Sequence, residues 1–192
     1  MSIGWGDGTT EDLSFPAGHT YDSAAAYTVT ITATNNRSES QSTSLNVVVP
    51  IVFADAGLEA AVRDGISKPT GDIFTADVEN LTFLNAEDRE IVSLDGLEML
   101  SALDTLRIRR NQLSDISLLA QISTLTAVAL DNNPIADFSP LATMTQLTGL
   151  WIRGEEIPDD ISFVADLTNL ETLLFIESSV SDISPVANLT HL

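Results

Sequence analysis

The sequence contains no cysteine and few basic residues, and each shortage excludes a class of function. Without cysteine the chain forms no disulfide and offers no thiolate ligand to a metal. Only 8 Lys and Arg residues stand against 28 Asp and Glu residues, which gives a formal net charge of −20. Nucleic acid is therefore not an expected partner, because its phosphates would be repelled.

Long apolar runs and export signals are also missing from the sequence. No stretch reaches the roughly 18 apolar residues of a transmembrane helix, so we expect no membrane insertion. The residues that follow Met1 do not form a signal peptide. Because 44% of the residues are hydrophobic, we expect one or two folded domains rather than a disordered acidic tail.

Residues that carry catalysis are scarce. A zinc site needs about three or four His, Cys or carboxylate ligands grouped together, whereas the two histidines, His19 and His191, lie far apart. There is no Gly-x-Ser-x-Gly elbow, no Gly-rich phosphate loop and no acid pair that stands out for sugar hydrolysis. We therefore predict no enzyme activity, no catalytic residue, no metal site and no cofactor.

A 22-residue repeat dominates the later part of the chain. Residues 103–120 read LDTLRIRRNQLSDISLLA, and residues 125–142 read LTAVALDNNPIADFSPLA. Further copies begin at Leu81, Leu147 and Leu170, and the copy from Leu147 is one residue longer around Pro158. A period in the twenties with L-x-x-L-x-L-x-x-N-x-L spacing is the signature of a leucine-rich repeat. One copy cannot bury its own apolar edge, so the copies must stack.

The repeat register predicts which side chains are buried. The predicted core positions of the first three copies are Leu81, Leu84, Ala86, Ile91, Leu94 and Leu97, then Leu103, Leu106, Ile108, Leu113, Ile116 and Leu119, then Leu125, Val128, Leu130, Ile135, Phe138 and Leu141. We expect Asn111 and Asn133 to be buried and to bond backbone groups at turns. The pattern departs at Arg89, Glu155 and Ser178, where we expect looser turns.

A recurring Asp-Ile-Ser or Asp-Phe-Ser phrase places one aspartate in each of four copies. These residues are Asp115, Asp137, Asp160 and Asp182. An aspartate that precedes a 3₁₀ turn accepts a hydrogen bond from a free backbone N–H, as at a helix N-terminus. A calcium ladder is the alternative use of such a row, and we favour the capping role.

Residues 1–49 are predicted to be β-structure. Alternation predicts strands over residues 27–34 and 42–49, and residues 6–8 predict a tight turn. The run W-G-D-G-T from Trp5, then H-T-Y from His19 and Y-T-V-T from Tyr27, resembles the later part of the PKD (polycystic kidney disease) domain. That resemblance implies an immunoglobulin-like β-sandwich in which His19 has a structural hydrogen-bonding role. Asp7 alone falls short of the six to eight oxygens that calcium prefers.

Residues 50–80 predict two helices. Asp55 is the predicted N-cap of the first, and Thr75 begins the second. The string FADAGLEAAVRD from Phe53, followed by KPTGDIFTAD from Lys68, resembles the α-helical N-terminal cap of bacterial internalin-type repeat proteins. With the aspartate phrases, this resemblance extends over residues 51–192. It implies a right-handed leucine-rich repeat solenoid, with parallel β-strands on the concave face and 3₁₀ turns on the convex face.

We therefore predict three segments. Residues 1–49 form a partial PKD-like sandwich, residues 50–80 form a linker and the helical cap, and residues 81–192 form about five leucine-rich repeats. The missing early strands and the sixth copy that would begin at Leu192 suggest a fragment of a longer protein. The resemblance implies a secreted or surface-displayed bacterial protein.

The candidate binding residues lie on the predicted concave strands. Because strand side chains alternate, the residue between the two leucines of L-x-L points outward. The outward columns are Phe83, Thr105, Ala127, Gly149 and Thr172; Asn85, Arg107, Ala129, Trp151 and Leu174; and Glu87, Arg109, Asp131, Arg153 and Ile176. Trp and Arg are enriched at binding hot spots, and the small residues among them would leave room for a partner. The candidate binding residues are Arg107, Arg109, Trp151, Arg153, Leu174 and Ile176.

The alternative interpretation is that these side chains have a structural role and bind no partner. Arg153 would stack on Trp151, and Arg107 and Arg109 would pair with nearby acids. On the binding hypothesis, the chain is a monomeric, non-enzymatic, adhesin-like protein with a protein ligand as first choice and a surface glycan as second. The alternative is an accessory targeting or spacer region of a larger extracellular hydrolase, possibly polysaccharide-binding; a surface spacer with no partner is the third.

Overall fold

The computed structural model describes residues 2–12, 19–35, 37–154 and 159–192. The chain divides into two compact units. One unit is Met1–Val52 with Asp72–Ala76, and the other is Phe53–Gly71 with Asp77–Leu192. The segment boundaries after residues 49 and 80 stay predictions, as do the immunoglobulin-like architecture of the first segment and the cap role of the second.

The first unit contains a four-stranded antiparallel sheet. Its strands are β1 (Ser2–Gly4), β2 (Thr10–Asp12), β3 (Ala26–Thr34) and β4 (Ser40–Val48), in the order β2-β1-β3-β4. The two long strands lie where the alternation predicts them, within two residues. The alternation separates a hydroxyl-lined face, on which Thr and Ser side chains of β3 and β4 bond across the strands, from an apolar face. The apolar cluster contains Ile3, Trp5 and Val29.

The predicted turn at residues 6–8 joins β1 to β2, and it needs glycine for two reasons. Gly6 has φ +89°, in the left-handed region. A Cβ at this position would also lie 2.7 Å from the backbone nitrogen and oxygen of Thr28. Any side chain at Gly6 would therefore collide with strand β3.

A short bridge accounts for the second piece of the first unit. The backbone N–H of Ile51 donates to the carbonyl of Ile73 over 2.7 Å, and the two residues form an isolated antiparallel bridge. Both side chains are buried. The segment Asp72–Ala76 is therefore held against Ile51, although Ile73 follows Ile51 by 22 positions in the chain.

The second unit begins with helix α1 (Ala56–Gly65), as the sequence predicts. The carboxylate of Asp55 caps it, with Oδ1 accepting from the N–H of Gly57 at 2.8 Å and of Leu58 at 3.0 Å. Leu58 and Val62 form part of a fully buried face. Helix α2 (Thr75–Val78) starts at the predicted residue, and the division between the two units falls within it.

The repeats form a parallel sheet of five strands in chain order. The strands are β5 (Phe83–Asn85), β6 (Thr105–Arg107), β7 (Ala127–Ala129), β8 (Gly149–Arg153) and β9 (Thr172–Ile176). The 3₁₀ turns between or after them are Leu97–Met99, Ser117–Gln121, Ser139–Thr143, Ser162–Val164 and Ser184–Asn188. Every predicted core position of the first three copies is buried, with at most 9% of any of these residues exposed. The second unit is therefore a leucine-rich repeat solenoid.

The two asparagines of the repeat tie neighbouring copies together. Asn111 donates from Nδ2 to the carbonyls of Ala86 and Ile108 at 2.8 and 3.0 Å, and its Oδ1 accepts from the N–H groups of Arg89 and Ile91, both at 3.0 Å. Asn133 makes the same kind of contacts one repeat later. The turn at Arg89 is therefore not left loose, contrary to expectation, because the asparagine of the following copy bonds its backbone. Glu155, where a second loose turn was expected, lies outside the described residues.

The four repeated aspartates cap 3₁₀ turns, as predicted. In each case Oδ1 accepts from the N–H of the serine two residues later at 2.8 Å. Hydrogen bonding from that serine's backbone and side chain lowers the pKa of Asp115, Asp137 and Asp182 below the usual carboxyl value. Each charged carboxylate thus stabilises the turn that follows it.

Candidate functional site

The outward side chains of the parallel sheet form three columns, which together we call the sheet surface. Strand pairing places Asn85, Arg107, Ala129, Trp151 and Leu174 in register as the middle column. The last pair of strands aligns Gly149 with Thr172, one residue beyond the 22-residue spacing of the earlier pairs, so the longer fourth copy keeps its strand in register. The middle column therefore contains the residues that the repeat register predicts for it.

Large apolar groups lie exposed on the sheet surface at both ends. Phe83 is 45% exposed on the first strand, and Leu174 and Ile176 are 40% and 36% exposed on the last. Trp151 is half-buried between these ends, and Ala129 is buried. Isolated exposed apolar residues are common, but this face gathers several within one sheet.

Trp151 does not simply project from the sheet, because its ring lies across Gly149. A Cβ added to Gly149 would lie 2.5 Å from Cη2 of the tryptophan. The room expected above Gly149 is thus filled by the indole ring. Space remains beside it, in a cavity of about 190 Å³ that we call the Trp151 cleft, lined by Thr105, Leu106, Arg107, Arg109, Ala129 and Trp151.

Arg107 has no acidic partner in the described part of the chain. Its guanidinium carbon instead lies 5.3 Å from the centroid of the Phe83 ring, in a cation–π arrangement. The ion pairs of the described residues involve other basic groups. Stacking occupies the flat face of a guanidinium and leaves its N–H edge able to donate.

Arg109 lies beside acidic side chains, as the structural interpretation of this surface predicts. Its Nε lies 2.7 Å from Oδ2 of Asp131, and Oε1 of Glu87 is 3.8 Å away. Only 8% of Asp131 is exposed, whereas 31% of the Arg109 side chain is, so the carboxylate is the partner that is withdrawn from water. Replacing Arg109 would leave a buried carboxylate without its counter-charge, which makes this arginine a poor choice for testing binding alone.

Arg153 pairs with an acid of the next copy instead of stacking on Trp151. Its Nε and Nη2 donate to the two carboxylate oxygens of Glu177 at 3.1 and 2.5 Å. Hydrogen bonding between them raises the pKa of Arg153 and lowers the pKa of Glu177. Arg110 makes a similar two-point contact with Asp88, both distances being 2.6 Å.

Sequence reasoning did not select three groups that shape this surface: Phe83, Asp131 and Glu177. Phe83 and Asp131 belong to its outward columns, and Glu177 follows Ile176, where it meets Arg153 of the preceding copy. The repeat register puts residues about one repeat apart side by side. The repeat register can be read from the sequence. The direction in which each arginine side chain turns cannot.

In the first unit, the residues of the W-G-D-G-T and H-T-Y motifs form a compact cluster. His19 stacks on Trp5, and its Nε2 lies 2.5 Å from Oδ2 of Asp7. Hydrogen bonds from the side chain and the backbone of Thr9 hold the pKa of Asp7 at about 2. Tyr21 donates its hydroxyl to the carbonyl of Trp5 at 2.9 Å. This confirms a structural hydrogen-bonding role for His19.

Within residues 2–12, 19–35, 37–154 and 159–192, no three His, Asp or Glu side chains are grouped as metal ligands. None of the described helices is long and apolar enough to cross a membrane. His191, the other histidine, is exposed.

No protein-family model matches the chain, and no curated protein matches it. Solved structures do. Internalin C2 (inlC2) from Listeria monocytogenes superposes with a TM-score of 0.60 at 25% identity, covering 74% of this chain and 73% of that one. Internalin inlF from the same organism gives 0.61 at 28% identity, covering 75% of this chain and 50% of its own.

A third similar structure, a functional domain of InlJ from Listeria monocytogenes, has a TM-score of 0.54 at 24% identity. The match covers 72% of this chain but only 30% of the InlJ chain. InlJ is described as including a cysteine ladder, which a chain without cysteine cannot build. The chain thus spans about half of inlF and less than a third of InlJ. It has an internalin-like leucine-rich repeat fold.

Proposed function

We propose that this chain is a non-enzymatic, extracellular binding protein that holds a partner protein on the sheet surface. The observation that carries the proposal is the gathering of Trp151, Arg107 and exposed apolar side chains on one face of a strongly acidic chain. Trp and Arg are the residue types most enriched at binding hot spots. A surface that served only solubility would favour acids there, as the rest of the chain does.

The internalin-like fold supports the proposal, and it also supports a secreted or cell-surface bacterial location. A protein ligand agrees better with the surface than a glycan does, because the only tryptophan on it is flanked by aliphatic and cationic groups. We further propose that residues 1–49 act as a PKD-like spacer and that residues 50–80 cap the repeats. An adhesin-like role follows if the partner lies on another cell.

The test is a binding screen of the 192-residue chain against arrays of purified extracellular proteins and of glycans. The variant carries Arg107→Ala, Trp151→Ala and Ile176→Ala, three groups on the sheet surface. It spares Arg109, because losing that residue would strand the buried Asp131. A matched control carries Arg37→Ala, Val92→Ala and Ile183→Ala, which remove one arginine and two exposed apolar groups elsewhere.

We expect the wild type to bind at least one protein, with the sheet-surface variant weaker by at least about thirtyfold and the control unchanged. Circular dichroism should show that both variants are folded. A partner that binds the sheet-surface variant as tightly as the wild type would contradict the proposal. So would binding to glycans alone.

A further inference from the structure

The size of the Trp151 cleft favours a single side chain as its occupant. Its volume is about 190 Å³, whereas pockets for drug-sized ligands measure about 300–1,000 Å³. A partner that inserts one apolar side chain would displace the water that enters this cleft.

The cleft is apolar on one side and cationic on the other. Trp151 and Ala129 supply the apolar lining, and Arg107 and Arg109 supply the charge. Because Asp131 already engages Arg109, the guanidinium of Arg107 is the one with positive charge to spare. Its stacking on Phe83 fixes the guanidinium plane and leaves N–H donors at the edge.

A carboxylate is the group that fits those donors. Guanidinium binds carboxylate through two parallel N–H···O bonds, and such charge-assisted bonds are stronger than neutral ones. The chain has a net charge of −20, so its overall field opposes an acidic ligand. Any preference for acid at this place must therefore come from the local arginine.

We propose that the Trp151 cleft recognises a partner protein at a site where an apolar side chain stands beside an Asp or Glu. The apolar side chain enters the cleft against Trp151, and the carboxylate binds Arg107. The inference rests on the proposed function, since it assigns chemistry to one part of the sheet surface. It names the acidic side chain, and not a free chain terminus, as the ligand of the arginine.

The probe is a library of random twelve-residue peptides displayed inside a fusion, so that no peptide offers a free carboxyl terminus. Selection on the immobilised 192-residue chain should enrich peptides with an acidic residue next to a large apolar one. Selection on the Arg107→Glu variant should lose that acidic preference and turn to Lys or Arg. Selection on Arg37→Glu, which reverses a charge outside the sheet surface, should match the wild type.

An enriched peptide, synthesised with both termini blocked, then gives dissociation constants by fluorescence anisotropy. We expect Arg107→Gln to weaken binding about tenfold or more and Arg37→Gln to have no effect. Ala129→Leu should also abolish binding, because the added side chain fills the cleft while Arg107 remains. Affinity for the wild type should fall as salt is added, since the contact is partly exposed.

Three outcomes would overturn the inference: enrichment without acidic residues, equal binding by Arg107→Gln, and no enrichment at all. Each is distinguishable from failure of the proposed function, which is judged by the protein screen with the sheet-surface variant. If that screen succeeds while peptide selection fails, the partner binds the sheet surface by other contacts. If both fail, neither assignment stands.

Discussion

Asn111 is the side chain whose loss should expose most clearly how the repeats are held together. Its replacement by alanine removes the described partner of three backbone groups: the N–H of Arg89, the N–H of Ile91 and the carbonyl of Ala86. The carbonyls of Ile108 and Arg109 also accept from Asn111, but they keep hydrogen bonds from Asn133 and from the N–H of Asp88. An unsatisfied buried group costs about 1–3 kcal/mol. Water will reach the partly buried Arg89 amide, so we expect Asn111→Ala to lower the free energy of unfolding by about 3–5 kcal/mol.

The matched control is Asn169→Ala. Asn169 is exposed and donates one hydrogen bond, to the carbonyl of Thr145 at 2.8 Å. We expect this variant to lose about 1 kcal/mol or less. Urea unfolding followed by circular dichroism gives both free energies, and the slope of the transition should be compared among the proteins, because stacked repeats need not unfold in one step.

Hydrogen exchange supplies a local readout for the same variant. The amide of Ile91 should exchange much faster in Asn111→Ala, while amides two copies away keep their protection. The reasoning is refuted if Asn111→Ala is no less stable than Asn169→Ala. It is also refuted if exchange at Ile91 is unchanged.

Three further predictions concern the core, the tryptophan and the capping aspartates. Leu130→Asp should unfold the repeats, because a side chain that is 1% exposed would become an unpaired buried charge costing several kcal/mol; an unchanged melting curve would contradict the register. Gly149→Ala should push the indole of Trp151 off the sheet and shift its fluorescence, with Trp151→Ala as the reference, which should itself change stability little; an unshifted spectrum in Gly149→Ala would contradict the ring position. The folded-state pKa of Asp137 is lowered, so its stabilising contribution is present above the unfolded pKa of about 3.9 and is lost as pH falls through the folded value. Urea midpoints measured from pH 5 to pH 2.5 should therefore decline less for Asp137→Ala than for the wild type, and equal declines would contradict the capping role.

Much of the repeat fold follows from one-dimensional spacing. A leucine that recurs every 22 residues must face its counterpart in the next copy, because only stacking buries it. Leu106, Val128 and Leu150 therefore lie in one row, and the residues next to them in each strand point to the opposite face of the sheet. The same reasoning predicts that Arg107 and Trp151 face outward.

The arrangement of long side chains on that surface could not be predicted in the same way. Arg153 has several rotamers that reach either Trp151 or Glu177, and the choice depends on the competing strengths of stacking and a two-point ion pair. The ring of Trp151 turns over Gly149 because that position has no side chain. Such choices depend on three-dimensional neighbours more than on spacing.

Strand alternation separates the residues that hold the scaffold together from those that a partner could contact. In the strands β5 to β7 the middle residue is buried in the solenoid core and the residues on either side of it face outward, so most outward positions are free to vary without disturbing the core. Neighbouring outward points are one repeat apart in the chain and about 4.8 Å apart in space. A single outward substitution thus changes one position of the binding surface, and binding specificity can change while the solenoid fold is kept. Arg109 and Asp131 are an exception, because their ion pair is partly buried and therefore contributes both to the scaffold and to the outward surface.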